Sequence, residues 1–240
     1  MRTVAVVLAG GTGQRFGSGK PKQLHLLAGR PLLEHSVAAF QAAPGIDAIL
    51  LVLAPGFAQL ARSQFGTARY SKVVDVIEGG SARADSTRCA IAALGAGDCN
   101  VLLHDAARPL VDQRIIAGCV TALQTCLAVG VVVPSPDTIV VVSDGVMTEM
   151  PSRESLRRCQ TPQGFRLSVL RAAHELALAD PANAAATDDC GVVLRYRPDV
   201  AIRVVPGSER NIKITYPADL DVAEALLSGG RPERQDPAWS

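Results

Sequence analysis

Residues 8–17 read Leu-Ala-Gly-Gly-Thr-Gly-Gln-Arg-Phe-Gly, and Lys-Pro-Lys-Gln follows at 20–23. Glycines placed directly after an apolar run let backbone N–H groups approach phosphate oxygens with no Cβ in the way. Arg15 and Lys22, just beyond them, supply the positive charge that a triphosphate and a departing pyrophosphate require. The loop is not a Walker A loop, since no Gly-Lys-Ser/Thr follows at the required spacing. Nor is it the dinucleotide fingerprint: Phe16 comes after Gly11 and Gly13, and no ribose-binding acid follows at the expected distance. Glycines alone would also suit a plain turn; the added cations favour phosphate binding.

A second chemical position is Asp105, at the end of the apolar run 100–104. A carboxylate there can position hydrated Mg²⁺ or an acceptor, or simply cap the next helix. His104 beside it reads as a structural hydrogen-bonding residue, and His25, His35 and His174 are scattered over expected helix or loop surfaces. Taken singly, Arg153 reads as a solvated charge, and Lys213, between Ile212 and Ile214, as a snorkelling strand lysine. No Ser-His-Asp or Cys-His arrangement points to a covalent intermediate.

Elements must bring these positions together. Short apolar runs at 3–8, 48–53, 73–77, 100–104 and 129–133 read as strands, and 32–43, 57–68, 83–94 and 113–127 as helices. Strands separated by helices imply right-handed crossovers, hence a single-domain, Rossmann-like α/β fold over 1–228, mostly parallel with helices on both faces. In such a sheet ligands bind at the carboxyl ends of the strands, where the glycine loop, Gly79-Gly80 and Asp105 all fall. Residues 138–143, the Asp144-Gly145 turn and 146–150 break the rhythm and predict a protruding β-arm spanning about 138–164. The arm suits either a dimer contact or a simple surface hairpin. Helices near 167–178, 189–195 and 217–227 and a strand at 201–205 complete the chain, and the polar, Pro-rich tail 229–240 is expected to be disordered.

Of the 240 residues, 48% are hydrophobic and only 4% aromatic, so the core must be aliphatic; the net charge of +1 gives no field for nucleic acid or an acidic membrane. The six cysteines show no CxxC pair and read as reduced structural thiols. The amino terminus lacks the pattern of a signal peptide and no run reaches transmembrane length, so a cytoplasmic protein is expected.

LAGGTGQRFG with PKQ resembles the nucleotidyltransferases that activate sugars and sugar alcohols. GGSARADS (79–86), HDAARP (104–109), DTI (137–139), QTPQGF (160–165) and NIKIT (211–215) narrow it to the cytidylyltransferases of 2-C-methylerythritol 4-phosphate and ribitol 5-phosphate. The resemblance runs from about 4 to 227. It implies that CMP passes from CTP to a polyol phosphate with release of pyrophosphate, assisted by Mg²⁺ or another divalent cation. It places Ala9, Gly10, Gly11 and Gly13 at the phosphates, and Gly80, Ser81, Arg83 and Ser86 at the cytosine and ribose. Ser81 stands where the family usually has Asp, which alters one contact to the base. Arg15, Lys22 and Lys213 take the catalytic roles; Asp105, Thr138, Arg153, Thr161 and Lys213 the acceptor; and Asp105 the metal, directly or through water. The arm would join a homodimer and carry Arg153 towards the neighbouring subunit.

HDAARP looks like the methylerythritol branch. LAGGTG, Val140 after DTI and the stretch DDCGVVLRYRPD look like the ribitol branch, and together they favour ribitol 5-phosphate. Two other classes compete: an oxidoreductase, disfavoured by the absent fingerprint, and a nucleotide sensor without catalysis, disfavoured by the intact Arg15, Lys22, Asp105, Arg153 and Lys213.

Overall fold

The computed structural model describes residues 1–11, 22–65, 68–180 and 188–229. Strand β1 (Thr3–Ala9) is apolar without interruption because both of its faces are covered. Ala5, Val7 and Ala9 enter one core cluster, and Val4, Val6 and Leu8 the other. After β1 come a two-strand ribbon, β2 (Leu26–Leu27) and β3 (Arg30–Pro31), helix α1 (Leu32–Ala42) and strand β4 (Ala48–Leu53). Helix α2 (Ala58–Phe65), strand β5 (Val73–Glu78), helix α3 (Arg83–Ala93), strand β6 (Asn100–Asp105), helix α4 (Gln113–Ala122) and strand β7 (Ala128–Pro134) continue the alternation. The α4 start is set by Asp112, whose carboxylate accepts from Ile115 N at 2.8 Å.

The chain then leaves the sheet through β8 (Val141–Ser143) and β9 (Val146–Glu149), an exposed hairpin turning at Asp144 and Gly145, which both have positive φ. It returns in β10 (Arg157–Arg166), followed by α5 (Leu167–Ala179), α6 (Asp189–Tyr196), β11 (Ile202–Pro206) and α7 (Ala218–Ser228). The seven-stranded sheet runs β11-β7-β10-β6-β1-β4-β5. Only β10 is antiparallel to its neighbours. Helices α1, α2 and α4 cover one face around Phe40, Phe65 and Ile115, and α3, α5 and α6 the other around Ile91, Leu170 and Val193.

The Rossmann-like, mostly parallel expectation therefore holds, with one correction. The protruding segment ends at Leu156, because 157–166 is a central strand rather than the return limb of an arm reaching 164. Its sequence, RRCQTPQGFR, lacks the apolar run of a central strand and contains proline. The register shift between Gln160 and Gln163 is a bulge, which accommodates a proline that has no N–H for the ladder. Gly164 is needed where β10 meets β7 and β6. A Cβ there would lie 2.6 Å from Val129 Cγ2 and 2.7 Å from Leu102 Cδ2. Gly164→Ala should therefore destabilise the fold by about 1–3 kcal/mol through overpacking, read as a lowered urea midpoint with unchanged slope.

Candidate active site

The chain runs outward from β1 through β4 to β5, then jumps back to β6 on the other side of β1. That reversal of strand order opens a crevice beyond the carboxyl ends of β1 and β6. A cleft of ≈ 340 Å³ lies there, lined by the glycine loop after β1, the first turn of α3, Asp105–Ala107, Lys22 and Lys213. Its walls are set by close contacts that only small residues permit. A Cβ on Gly10 would come within 2.8 Å of Ser86 Oγ, one on Gly79 within 2.5 Å of the same atom, and one on Gly80 would collide with Asp85 Cβ at 2.2 Å. Asp85 in turn accepts from Ala82 N at 2.9 Å and Ser81 Oγ at 2.7 Å, fixing the start of α3.

Asp105 organises the charges. Its Oδ1 accepts from Arg83 Nε at 3.2 Å and its Oδ2 from Lys213 Nζ at 2.7 Å. Arg83 Nη1 also reaches Asp189 Oδ2 at 2.5 Å, and Asp189 Oδ1 lies 3.1 Å from His174 Nε2. Burial would raise the Asp105 carboxyl, but Arg83 and Lys213 outweigh it and hold it well below the usual carboxylate range. Asp189 behaves alike: burial is overcome by Arg83 and His174, and its carboxyl is lowered. Burial alone would lower Arg83, yet Asp189 and Asp105 raise it. Arg83 Nη2 is buried and has no hydrogen-bond partner among the described residues.

Beneath this clamp sits a neutral histidine. His104 Nε2 faces Arg108 O at 3.0 Å and so carries the proton; Nδ1 then accepts from the Thr161 hydroxyl at 3.0 Å. Burial pushes the imidazole down to about 4. Thr161 Oγ1 in turn accepts from Asp105 N at 3.1 Å, which fixes the backbone that presents the carboxylate. Lys213 arrives on an extended segment held at both ends. Asn211 Nδ2 donates to Thr161 O at 2.9 Å, and Ile214 is buried against Leu27, Leu32 and Ala223. Lys22 Nζ donates to Ile214 O at 2.6 Å.

A buried carboxylate holding two cations at the mouth of a glycine-lined cleft is what a polyanionic substrate requires. The family model of 2-C-methyl-D-erythritol 4-phosphate cytidylyltransferase, IspD, matches residues 3–229. The chain belongs to this cytidylyltransferase family. It is 50% identical over 236 residues to the 2-C-methyl-D-erythritol 4-phosphate cytidylyltransferase of Thermobifida fusca, covering 95% of this chain and 94% of that one. It is 38% identical over 230 residues to the bifunctional ribulose 5-phosphate reductase/CDP-ribitol pyrophosphorylase Bcs1 of Haemophilus influenzae, covering 94% of this chain and 48% of that one. The crystal structure of 4-diphosphocytidyl-2C-methyl-D-erythritol synthase from Anaerococcus prevotii superposes with a TM-score of 0.83 at 27% identity, covering 95% of this chain and 98% of that one. As a cytidylyltransferase the chain is an enzyme that uses CTP.

Within this family frame the structure brings Ala9, Gly10, Gly11, Lys22, Ser81, Arg83, Ser86, Asp105 and Lys213 to one cleft. Gly80 stands behind it, packed on Asp85. Gly13 and Arg15 lie outside the described residues. Thr161 is buried under Asp105 rather than lining the cleft. Thr138 and Arg153 sit at the root of the protruding hairpin, where Arg153 Nη1 donates to Pro136 O at 3.3 Å, and neither lines the cleft of its own chain. Among the described residues no group of three or more His, Cys, Asp and Glu is arranged to hold a metal. Asp189, legible in the sequence only as the start of a helix, and His174, expected on a helix or loop surface, are both buried and joined in this network, a burial that local pattern does not reveal. Removing Asp189 would leave the half-buried Arg83 with one partner instead of two. Asp189→Ala should cost about 3 kcal/mol of stability by urea titration and weaken CTP binding by calorimetry, while Asp189→Glu should recover part of both.

Proposed function

We propose that this cytidylyltransferase transfers CMP from CTP to 2-C-methyl-D-erythritol 4-phosphate in the cytoplasm, releasing pyrophosphate. The cation-lined cleft at the switch point carries the nucleotidyl-transfer reading, and the family match together with the Thermobifida fusca relative supports the acceptor. This replaces the ribitol 5-phosphate favoured from LAGGTG and Val140. Those features are a few positions, and they weigh less than 50% identity spread over 95% of the chain.

An oxygen of the acceptor phosphate attacks the α-phosphorus of CTP; the bond from that phosphorus to the β-bridging oxygen breaks, and pyrophosphate leaves. The acceptor phosphate is already ionised, so no general base is needed to activate it. Both reactants are anions, so the barrier lies in charge repulsion and alignment. Lys22 and Lys213 offset that charge, and the amides after β1 hold the triphosphate in line. Arg83 is kept charged and aimed by Asp189 and Asp105. Arg15 and Gly13 are proposed for the same phosphate loop, and Gly80, Ser81 and Ser86 for the cytidine. Asp105 is the single carboxylate among the described residues lining the cleft. That suits Mg²⁺, which takes most of its ligands from phosphate and water, and which when bound neutralises triphosphate charge.

Thr138, Arg153 and Thr161 are proposed at or behind the acceptor phosphate, with Thr138 and Arg153 donated by a second subunit. Val141, Val142, Val146, Met147 and Met150 on the hairpin are all exposed, and an open, apolar hairpin edge calls for a cover. Light scattering should give a mass twice that of the 25.1 kDa chain; a fully active monomer would exclude this assembly. For the acceptor, kcat/KM with CTP should be at least tenfold higher for 2-C-methyl-D-erythritol 4-phosphate than for ribitol 5-phosphate, measured side by side by pyrophosphate release. The reverse order would return the enzyme to the ribitol branch.

A further inference from the structure

Six cysteines are distributed over the chain. Cys99 and Cys119 are buried, and burial pushes Cys119 up to about 12, which makes it inert. Cys159 and Cys190 are different because they come together around one side chain. Cys159 lies on β10 just before the bulge and is exposed, while Cys190 is the second residue of α6 and is half-buried. The side chain of Gln163 joins their surroundings: its Nε2 lies 3.2 Å from Cys159 Sγ, and its Oε1 accepts from Cys190 N at 3.2 Å. The missing side chain of Gly130 on β7 makes room, since a Cβ there would lie 3.3 Å from Cys190 Sγ. The two cysteines thus sit around one glutamine side chain, close enough to influence each other's ionisation.

We propose that Cys159 and Cys190 form a reversible oxidation site that takes small hydroperoxides and closes to a disulfide, and that closure weakens nucleotide binding in the cleft. The neighbouring Cys190 thiol lowers Cys159 against the opposing effects of burial and of the Asp188 carboxylate, and Cys159, with burial, raises Cys190. An exposed thiol beside a more protected partner is the arrangement of an attacking and a resolving cysteine. The Cys159 thiolate attacks one oxygen of hydrogen peroxide, the O–O bond breaks, and hydroxide leaves, giving a sulfenic acid. Cys190, losing its proton, then displaces the sulfenic oxygen as water. Two thiols lose two electrons and two protons in all, and one peroxide becomes two waters.

The link to the cleft is short. Cys190 adjoins Asp189, whose carboxylate holds Arg83, and Gln163 Oε1 also accepts from Asp189 N at 3.1 Å. Forming a bond from Cys159 to Cys190 replaces the Gln163 contact to sulfur and draws on the first turn of α6, and so on the carboxylate that aims Arg83.

The test uses the full chain, treated with a small molar excess of hydrogen peroxide and digested without reductant. Mass spectrometry should find a peptide pair joined through 159 and 190, and titration of the denatured protein should fall from six thiols to four. CTP affinity by calorimetry should weaken about tenfold, and dithiothreitol should restore both readings. Cys159→Ser should abolish the link and the affinity change, with CTP binding of the untreated protein intact. Cys190→Ser should leave Cys159 as a sulfenic acid trapped by dimedone. Oxidation of Cys159 in the native chain to sulfinic acid without a link, or a link through other cysteines, would overturn the site. A 159–190 link with unchanged CTP affinity would overturn its coupling to the cleft. None of these readouts depends on which polyol phosphate is the acceptor.

Discussion

The cleft is organised around one buried carboxylate. Asp105 is 8% exposed and shares its two oxygens between Arg83, from the loop–helix junction after β5, and Lys213, from a segment beyond β11. A buried ion is costly unless its partners are close and well oriented, so this geometry requires every neighbour to be in place. Asp105 is therefore the fixed anion against which two cations are held. Those cations then face the cleft at a set separation, ready for a substrate carrying far more negative charge than Asp105 does.

The positioning falls largely to β10, which inverts the usual logic of a central strand. Instead of aliphatic side chains it presents Gln160, Thr161 and Gln163, all buried and all hydrogen-bonded. Gln160 staples the Ser208–Asn211 turn, Thr161 supports His104 and Asp105, and Gln163 ties down the start of α6. Each bond replaces apolar contact energy with direction. The strand thereby couples the cleft carboxylate, the lysine-bearing segment and the Asp189 helix, all remote from one another in the chain. Cys159 lies on the same strand and Cys190 in the first turn of the helix that Gln163 ties down, so a chemical change there would act on parts already mechanically joined.

The protruding hairpin follows a different constraint. Its strands are short and exposed, and its outward valines and methionines have no core to enter. An isolated two-stranded ribbon is marginal in water, which is a physical reason for a second copy of the chain to complete it. Arg153 and Thr138 at its root are remote from their own cleft, in keeping with service to another.

Much of this was legible in the chain. The uninterrupted apolar runs of β1, β4 and β6 can only be buried on both faces, which dictates a helix-covered parallel sheet. The glycines after β1 and Asp105 at the end of β6 consequently had to meet at the carboxyl edge. Local patterning sufficed for those because period and turn chemistry are short-range properties. The place of β10 was not legible, since its polar sequence resembles a loop and is buried only because distant groups satisfy it. The Asp105–Arg83–Asp189–His174 chain was hidden for the same reason: sequence separation says nothing about which charges will share a dielectric. The residue types and their order determined the fold class and the chemistry; only tertiary packing decided which charges pair, because pairing depends on distances set by elements far apart in the chain.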